Sequence, residues 1–317
     1  MQALTAIIPA TYASFLLAQE YPTKPIKLII PYQAGTGGDT MGRELAARLS
    51  KRLGQPVVVD NKPGASLIIG TNAAARSDPD GYTLLLGTIT SFVLNVGVFR
   101  KLPYDPVKDF TPVSLFYKTP LYFVVNSNLP FRTVQEFVSF AQAHPGRLTY
   151  GSIGPGSSTH LVGELFKSRA GIDLVHVPYK DTPAIDLIAG RLDSVFDPGN
   201  TSIPRMQKGL IRGLAVTGPQ RLPATPQIPT MSESGVAGFD DVVAWVGIFA
   251  PAGTRTEIVN RLSKDINEIL KMPAIVEKHK AEGIELQGSS PQILESMLKS
   301  DLRKWGDLQR RVGVKPE

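Results

Sequence analysis

The sequence predicts an α/β protein built from two similar units, and three observations lead there. From Lys27 onward, short apolar runs alternate with amphipathic stretches, the pattern of a mostly parallel sheet covered by helices. The run Ile29-Ile30-Pro31-Tyr32-Gln33-Ala34-Gly35-Thr36-Gly37-Gly38-Asp39 passes from an apolar strand through a glycine-rich turn to a helix start. Near residue 120 a similar alternation begins afresh, again with small polar residues at the carboxyl ends of strands.

In the first unit, Ile26 to Tyr32 reads as a strand, and Thr40 to Leu53 as a helix with Met41, Leu45, Leu49 and Leu53 on one face. Asp39 is placed as its N-cap and Gly54 ends it. Val57 to Val59 is the next strand, and Pro79-Asp80-Gly81 turns the chain into the strand Tyr82 to Leu86. A second glycine-threonine turn, Gly87-Thr88-Ile89-Thr90-Ser91, follows that strand.

The second unit opens with the strand Leu121 to Val125. Thr133-x-x-Glu136 is a capping box for a helix to Ala143, and Pro145-Gly146 leads into the strand Leu148 to Ser152. Gly154-Pro155-Gly156-Ser157-Ser158-Thr159-His160 is a third polar turn, opening a helix that ends near Gly171. Val175 to Pro178 is a strand, Thr182-Pro183 caps a short helix closed by Gly190, and Val195 to Asp197 is another strand. Val242 to Ala250, with Trp245, suits a strand crossing between the two units. Thr254-x-x-Glu257 is read as the cap of a helix with Ile258, Leu262, Ile266 and Ile269 inward, and Ser290-Pro291 starts the terminal helix.

Composition narrows the function. The 317 residues are 42% hydrophobic and 20% charged, an ordinary globular balance with room for two domains. Net charge is +6, but the basic residues are dispersed; the densest group, Lys299, Arg303, Lys304, Arg310 and Arg311, recurs opposite Leu298, Leu302, Trp305 and Leu308. That is a solvated helix face, so no nucleic-acid partner is expected. Zero cysteines exclude disulfides, zinc–thiolate sites and cysteine nucleophiles. Leu4 to Ala18 is mostly apolar and short for a bilayer span, so residues 1–20 read as a signal-peptide-like leader and the protein as exported.

The turns favour anion binding over nucleotide binding. Backbone N–H groups of a glycine turn and the positive end of a helix dipole together attract an anion. Gly35-x-Gly37 lacks the third glycine of a dinucleotide fingerprint, since Thr40 stands there. Gly37 and Gly42 have phosphate-loop spacing, yet Arg43-Glu44 replaces the Lys-Ser/Thr pair. Gly64-Ala65-Ser66-Leu67-Ile68 misses the final glycine of a nucleophile elbow, which leaves Ser157 or Ser158 with His160 as the one hydrolase alternative. No pair among His144, His160, His176 and His279 has helical metal-site spacing, so neither metal nor cofactor is expected. Two sheet edges rich in donors, facing one another, would enclose a small ligand by hinge closure.

The motifs then become specific. Tyr21-Pro22-x-Lys24-Pro25-Ile26-Lys27-Leu28-Ile29-Ile30-Pro31, Ala34-Gly35-x-Gly37-Gly38-Asp39, Gly54-Gln55-Pro56-Val57-Val58-Val59-Asp60-Asn61-Lys62-Pro63-Gly64-Ala65 and Asp78-Pro79-Asp80-Gly81-Tyr82-Thr83-Leu84-Leu85 resemble the tripartite tricarboxylate transporter receptors, also called Bug proteins. So do Leu102-Pro103-Tyr104-Asp105-Pro106, His160 to Phe166, His176-Val177-Pro178-Tyr179-Lys180, Phe196-Asp197 and Ala250-Pro251-Ala252-Gly253-Thr254. The resemblance spans the chain beyond the leader. It implies a two-domain periplasmic binding protein of the type II-like, Venus-flytrap form, with its cleft between domains joined by two crossing segments. Domain 1 would hold residues 21–118 plus 247–317 and domain 2 residues 119–246. The protein would be a monomer, not an enzyme, that captures a small organic carboxylate and delivers it to membrane permease subunits, or reports it to a signalling partner.

Carried over position by position, the resemblance implies a first ligand loop at Gln33, Ala34, Gly35, Thr36, Gly37 and Asp39, and a second at Gly87 and Thr88. The facing loop would be Ser152, Gly154, Gly156, Ser157 and Ser158, with Tyr179 and Asp197 on the opposing wall and His160 bracing its loop. Two departures bear on the ligand. Tyr32-Gln33-Ala34 replaces the usual Phe-Ala-Ala, adding an amide, and Asp181 replaces the glycine of Tyr-Lys-Gly, which suggests a ligand with a hydroxyl or ammonium beside its carboxylate. Ser66-Leu67-Ile68 replaces Gly-Gly-Asn, making that wall more apolar.

Overall fold

In the computed structural model, residues 21–180, 182–311, 313, 314 and 316 are described; the leader reading of residues 1–20 and the reading of Asp181 fall outside them. Among the described residues the chain forms ten strands and ten α-helices. The first unit runs β1 (Ile26–Ile30), α1 (Gly37–Leu53), β2 (Val57–Asn61), α2 (Ile68–Ala75) and β3 (Thr83–Thr88), then a π-helical turn over Thr90–Leu94 and α3 (Asn95–Val98). β4 (Phe110–Asn126) leads into the second unit, which holds α4 (Val134–Ala143), β5 (Thr149–Ser152), α5 (Ser158–Ala170), β6 (Val175–Pro178), α6 (Ala184–Ile188), β7 (Ser194–Pro198), α7 (Gly199–Gln207) and β8 (Ile211–Val216). β9 (Val243–Pro251), α8 (Thr256–Leu270), α9 (Pro273–Ala281), β10 (Glu285–Leu286) and α10 (Pro291–Arg311) complete the fold.

The path through the sheet is β2-β1-β3-β9-β4-β7-β5-β6, with β8 and β10 also paired to β4. β1 lies parallel to β2 and β3, and β5 parallel to β6 and β7, so each unit keeps a parallel core. β4 is the shared strand. From Phe110 to Pro120 it pairs antiparallel with β9, and from Leu121 it pairs with β7 and β8. The second crossing runs from β8 back to β9, starting where the Thr217 N–H donates to Leu121 O at 2.8 Å.

Strand alternation distributes the core. Along β4, Leu121, Phe123 and Val125 enter one hydrophobic cluster while Tyr122 and Val124 enter another on the opposite face. In the first unit, Ile29 and Leu85 face the first cluster, and Ile26, Leu28, Ile30, Leu84 and Leu86 pack beneath α1 and α8. The α8 residues Ile258, Leu262, Ile266 and Ile269 are all buried, as their spacing predicts. Each such side chain contributes about 1.5–3 kcal/mol when fully buried.

Several local expectations are corrected. Asp39 is not the N-cap of α1: Thr36 flanks the helix and Asp39 is its third residue, buried, because its carboxylate bonds back to the turn. Thr254 does not cap α8; its hydroxyl donates to Pro251 O at 2.7 Å, and Arg255 flanks the helix. Gly87 and Thr88 belong to β3 rather than to a turn, since Gly87 pairs with Gly247 of β9. By contrast Thr133 caps α4 by accepting from the Glu136 N–H, and Pro291 opens α10.

Gly87 lies under the stacked rings of Phe92 and Phe249, whose centroids are 4.0 Å apart. A Cβ there would come within 2.5 Å of the Phe92 ring and 2.6 Å of the Phe249 ring. Gly87→Ala is expected to lower stability by about 1–3 kcal/mol through overpacking. Urea unfolding followed by circular dichroism measures it, and an unchanged midpoint would refute the packing argument.

Candidate functional site

The first turn braces itself. Gly35, at φ +84, donates its N–H to the Asp39 carboxylate at 2.8 Å, and the Thr36 N–H and hydroxyl both donate to Gln33 O. Asp39 also accepts from Arg43 Nε at 2.9 Å and Asn61 Nδ2 at 2.8 Å. Burial alone would raise this carboxyl; the Arg43, Gly35 and Asn61 bonds outweigh it and hold the pKa below the ordinary carboxylate value. Gln33, Ala34 and Gly35 are exposed on the rim. Gly38 packs against Tyr32, where a Cβ would approach the ring to 2.5 Å, and burial pushes the Tyr32 phenol up to about 12. The N–H groups of Gly37, Gly38 and Asp39 have no acceptor among the described residues. They form the open positive end of a 17-residue helix.

Behind this turn the Thr88 N–H donates to Ser91 Oγ at 3.1 Å, and the Ser91 N–H donates to Thr88 Oγ1 at 3.2 Å. Both residues are buried, so this pair supports the first jaw from below.

The facing loop is satisfied almost wholly from within. The Ile153 N–H donates to Thr159 Oγ1, the Gly154 N–H to Ser152 Oγ, the Gly156 N–H to His160 Nδ1 at 2.9 Å, and the Ser157 N–H to Gly154 O. Ser157 caps α5 by accepting from the His160 N–H while its hydroxyl donates to Gly154 O at 2.7 Å. What stays open, among the described residues, is the half-buried Ser158 with its hydroxyl and the first N–H groups of α5.

Two stacked imidazoles underlie that loop. His160 and His176 lie 4.2 Å apart, with the Tyr150 ring 4.9 Å from His176 and 6.4 Å from His160. His176 Nε2 bonds to Ser152 Oγ at 2.7 Å. Burial lowers the pKa of both histidines, and the neighbouring His160 helps bring His176 down to about 4. The hydrolase alternative finds no geometry here: His160 Nδ1 is spent on Gly156, and the Ser152 paired with His176 is fully buried.

Tyr179 and Asp197 are also engaged. The Tyr179 hydroxyl donates to Asp186 at 2.8 Å, and burial together with Asp186 pushes its phenol up to about 12. Asp197, at the end of β7, accepts from Thr201 Oγ1 at 2.6 Å, Ser202 Oγ at 2.8 Å and Arg205 at 3.3 Å. Burial still raises its pKa against those donors. Its carboxylate holds the start of α7.

The start of α7 is what sequence reasoning missed. Gly37 of the first jaw lies against the Asn200 side chain, and Gly156 of the facing loop lies against Val98 of α3. At a third point a Cβ on Gly199 would be 3.1 Å from Glu282 O. The two units therefore meet with the N-termini of α1 and α7 opposed. The signal was present in Asp197-Pro198-Gly199-Asn200, small residues following a strand, but no helix was assigned beyond it. Among the described residues, no group of His, Cys, Asp or Glu is placed to hold a metal ion. Arg43 and Arg205 are both committed to carboxylates, so the cleft offers hydrogen-bond donors rather than a cationic clamp.

The histidines give a pH dependence of definite sign. Unfolded histidine titrates near about 6.5, whereas folded His176 titrates at about 4. Between those values the unfolded chain binds a proton that the folded one refuses, so stability is intact above about pH 6.5 and falls as pH drops toward 4. Tm measured across that range is expected to decline on acidification, and His176→Gln, which retains a partner for Ser152 without titrating, is expected to flatten the decline. An unchanged slope in H176Q would refute the assignment.

Comparison with known proteins agrees with this architecture. Residues 41–314 match the model of the tripartite tricarboxylate transporter family receptor. Protein BugT of Bordetella pertussis is 33% identical over 314 residues, covering 98% of this chain and 95% of BugT. The structure of Rpa4515 of R. palustris with adipate superposes with a TM-score of 0.88 at 35% identity, covering 94% of this chain and 100% of that one. MatC of Rhodopseudomonas palustris with bound malate gives 0.83 at 29% identity, covering 91% and 99%. With two α/β units meeting at a donor-lined cleft and a family match across most of its length, this chain belongs to the tripartite tricarboxylate transporter receptors, the Bug family of solute-binding proteins.

Proposed function

We propose that the protein works in the periplasm, closing residues 21–118 plus 247–317 against residues 119–246 on a small organic carboxylate, and presents the closed complex to membrane permease subunits. One observation carries the reading: the N–H groups of Gly37, Gly38 and Asp39 have no acceptor among the described residues, Gly37 lies against Asn200 at the start of α7, and Arg43 and Arg205 are already paired. A carboxylate satisfies such donors where a cation or an apolar solute would not. The relatives with adipate and malate bound are consistent with that class.

Within this reading the ligand contacts are Gln33, Ala34, Gly35, Thr36, Gly37, Gly38, the Asp39 N–H and Ser158. The Asp39 carboxylate, Gly87, Thr88, Ser152, Gly154, Gly156, Ser157, Tyr179 and Asp197 hold those contacts in place, because their polar groups are engaged or buried. Asp181, which lies outside the described residues, is proposed as a ligand contact from its place in the sequence after Tyr179-Lys180.

A thermal-shift screen over mono- and dicarboxylates, hydroxy acids and amino acids tests the function. A ligand at 100 times its Kd is expected to stabilise the native state by about 2.7 kcal/mol. Ser158→Ala is expected to weaken binding, and Asp181→Gly to weaken selectively those ligands that carry a hydroxyl or ammonium. No shift with any carboxylate would refute the receptor reading.

A further inference from the structure

At the carboxyl end of β3, three residues stand in a row on one face of the sheet. Thr88 of β3 pairs with Val246 of β9, and Val246 pairs in turn with Tyr117 of β4. Residues directly opposite in an antiparallel ladder share a face. Tyr117 and Val246 accordingly enter one apolar cluster, against which Tyr32 packs from the end of β1. The second unit meets the first close by: Gly199 at the start of α7 lies against the Tyr122 ring of β4 and the Gly283 carbonyl, just before β10, whose Leu286 pairs with Tyr117.

Two phenols in this group carry unspent hydroxyls. Tyr117 is only 7% exposed, yet its hydroxyl makes no hydrogen bond to the described residues. Among those residues, the fully enclosed side-chain atoms without a partner are Arg48 Nε, Asn72 Oδ1 and Gln287 Oε1. The Tyr117 oxygen is not one of them, so the little surface that Tyr117 keeps includes its hydroxyl. Its titratable neighbour is Tyr32, which is partly exposed and whose phenol stands beside Thr88. The Thr88 hydroxyl is itself held by the Ser91 N–H at 3.2 Å. Burial raises both phenols, Tyr32 to about 12, so each is a neutral donor at neutral pH.

A buried hydroxyl without an acceptor is costly, and a carboxylate is the acceptor that gains most from two such donors. An ammonium has no lone pair to offer them. The Tyr32 ring also sets the reach, because Gly38 packs on its edge, where a Cβ would come within 2.5 Å of Cδ2 and 2.7 Å of Cε2. The phenol is thus a ring's length from the open N–H groups of α1.

We infer that the Tyr32 and Tyr117 hydroxyls form a second subsite on the floor of the cleft, which takes the distal carboxylate of a short dicarboxylate whose first carboxylate lies on the N–H groups of Gly37, Gly38 and Asp39. The inference rests on the receptor reading above and narrows its ligand to a diacid.

Isothermal titration with probes of matched length tests it: succinate, butyrate and 4-aminobutyrate, then glutarate, valerate and 5-aminovalerate. The wild-type protein is expected to bind each diacid about tenfold or more tighter than its monoacid and its amino acid, the value of a hydrogen bond to a charged group. Tyr117→Phe and Tyr32→Phe are each expected to weaken the diacids by about tenfold and to leave the monoacids unchanged. Their ligand-free Tm is expected to match or exceed that of wild type, since the ring is kept and no protein partner is lost. Wild-type protein that binds none of the acids overturns the receptor reading and this inference with it. Wild-type protein without a diacid preference, a Phe variant that keeps the full preference or weakens diacid and monoacid alike, or a Phe variant whose ligand-free Tm falls, overturns the inference alone.

Discussion

The antiparallel ladder between β4 and β9 is the constraint on which the rest of the structure depends. It runs from the Phe110–Pro251 pair to the Pro120–Val243 pair, after which β4 continues into the second unit without a break. One strand therefore fixes the register of both sheets, and the position of every turn at a sheet edge follows from it. Two shifts of register, between Pro112 and Ser114 and between Leu115 and Tyr117, bend the ladder near its middle. Trp245 on β9 is tied to α10 by a 2.7 Å bond from its indole N–H to Asp301, and Gln309 at the far end of α10 donates to Leu94 O beside α3. The crossing and the rim of the cleft are thus connected through one helix.

Given that frame, the proposed carboxylate site rests on hydrogen-bond donors, with Arg43 and Arg205 both paired to carboxylates. Each helix terminus contributes about 0.3–1 kcal/mol, and up to about 2 when partly buried. Each hydrogen bond to a charged group contributes about 1.5–3 kcal/mol. Two or three such bonds with two opposed termini suffice for useful affinity only if the donors are already in place, because ordering a loop on binding would consume much of the gain. The protein meets that condition by satisfying its turns internally. Asp39 locks the first turn, the paired histidines and Ser157 lock the second, and Asp197 locks the third. The Asp39 and Asp197 carboxylates are thus structural, each spent on a turn rather than offered to the solute.

What was legible in the sequence was local. Thr133-x-x-Glu136, Gly54, Gly171 and the inward stripe of α8 each depend on neighbours within a turn or two, and each is found as read. The length of β4 was not legible, because Pro112, Lys118 and Pro120 discourage a strand and only pairing with β9, more than a hundred residues away, creates one. α7 was hidden by Gly199 at its start and Pro204 inside it, β8 by the short polar pattern around Arg212 and Gly213. Asp39 misled for a related reason. Its type suits an N-cap, but Asn61 and Arg43 draw it one turn inward, and only Arg43 is near in sequence.

The same distinction decides where recognition resides. A cradle of backbone N–H groups is blind to anything beyond charge and shape, so it cannot by itself separate one small carboxylate from another. Side chains that bond within the protein are equally mute, which removes Asp39, Tyr179 and Asp197 from that role. Discrimination falls to polar groups on the rim that the fold leaves unmatched, and Gln33, Ser158 and Asn200 are such groups. Asn200 lies against Gly37 of the opposite unit. On the proposed function, affinity rests in the backbone donors of the first turn and selectivity in the few exchangeable polar side chains on the rim, Gln33 among them.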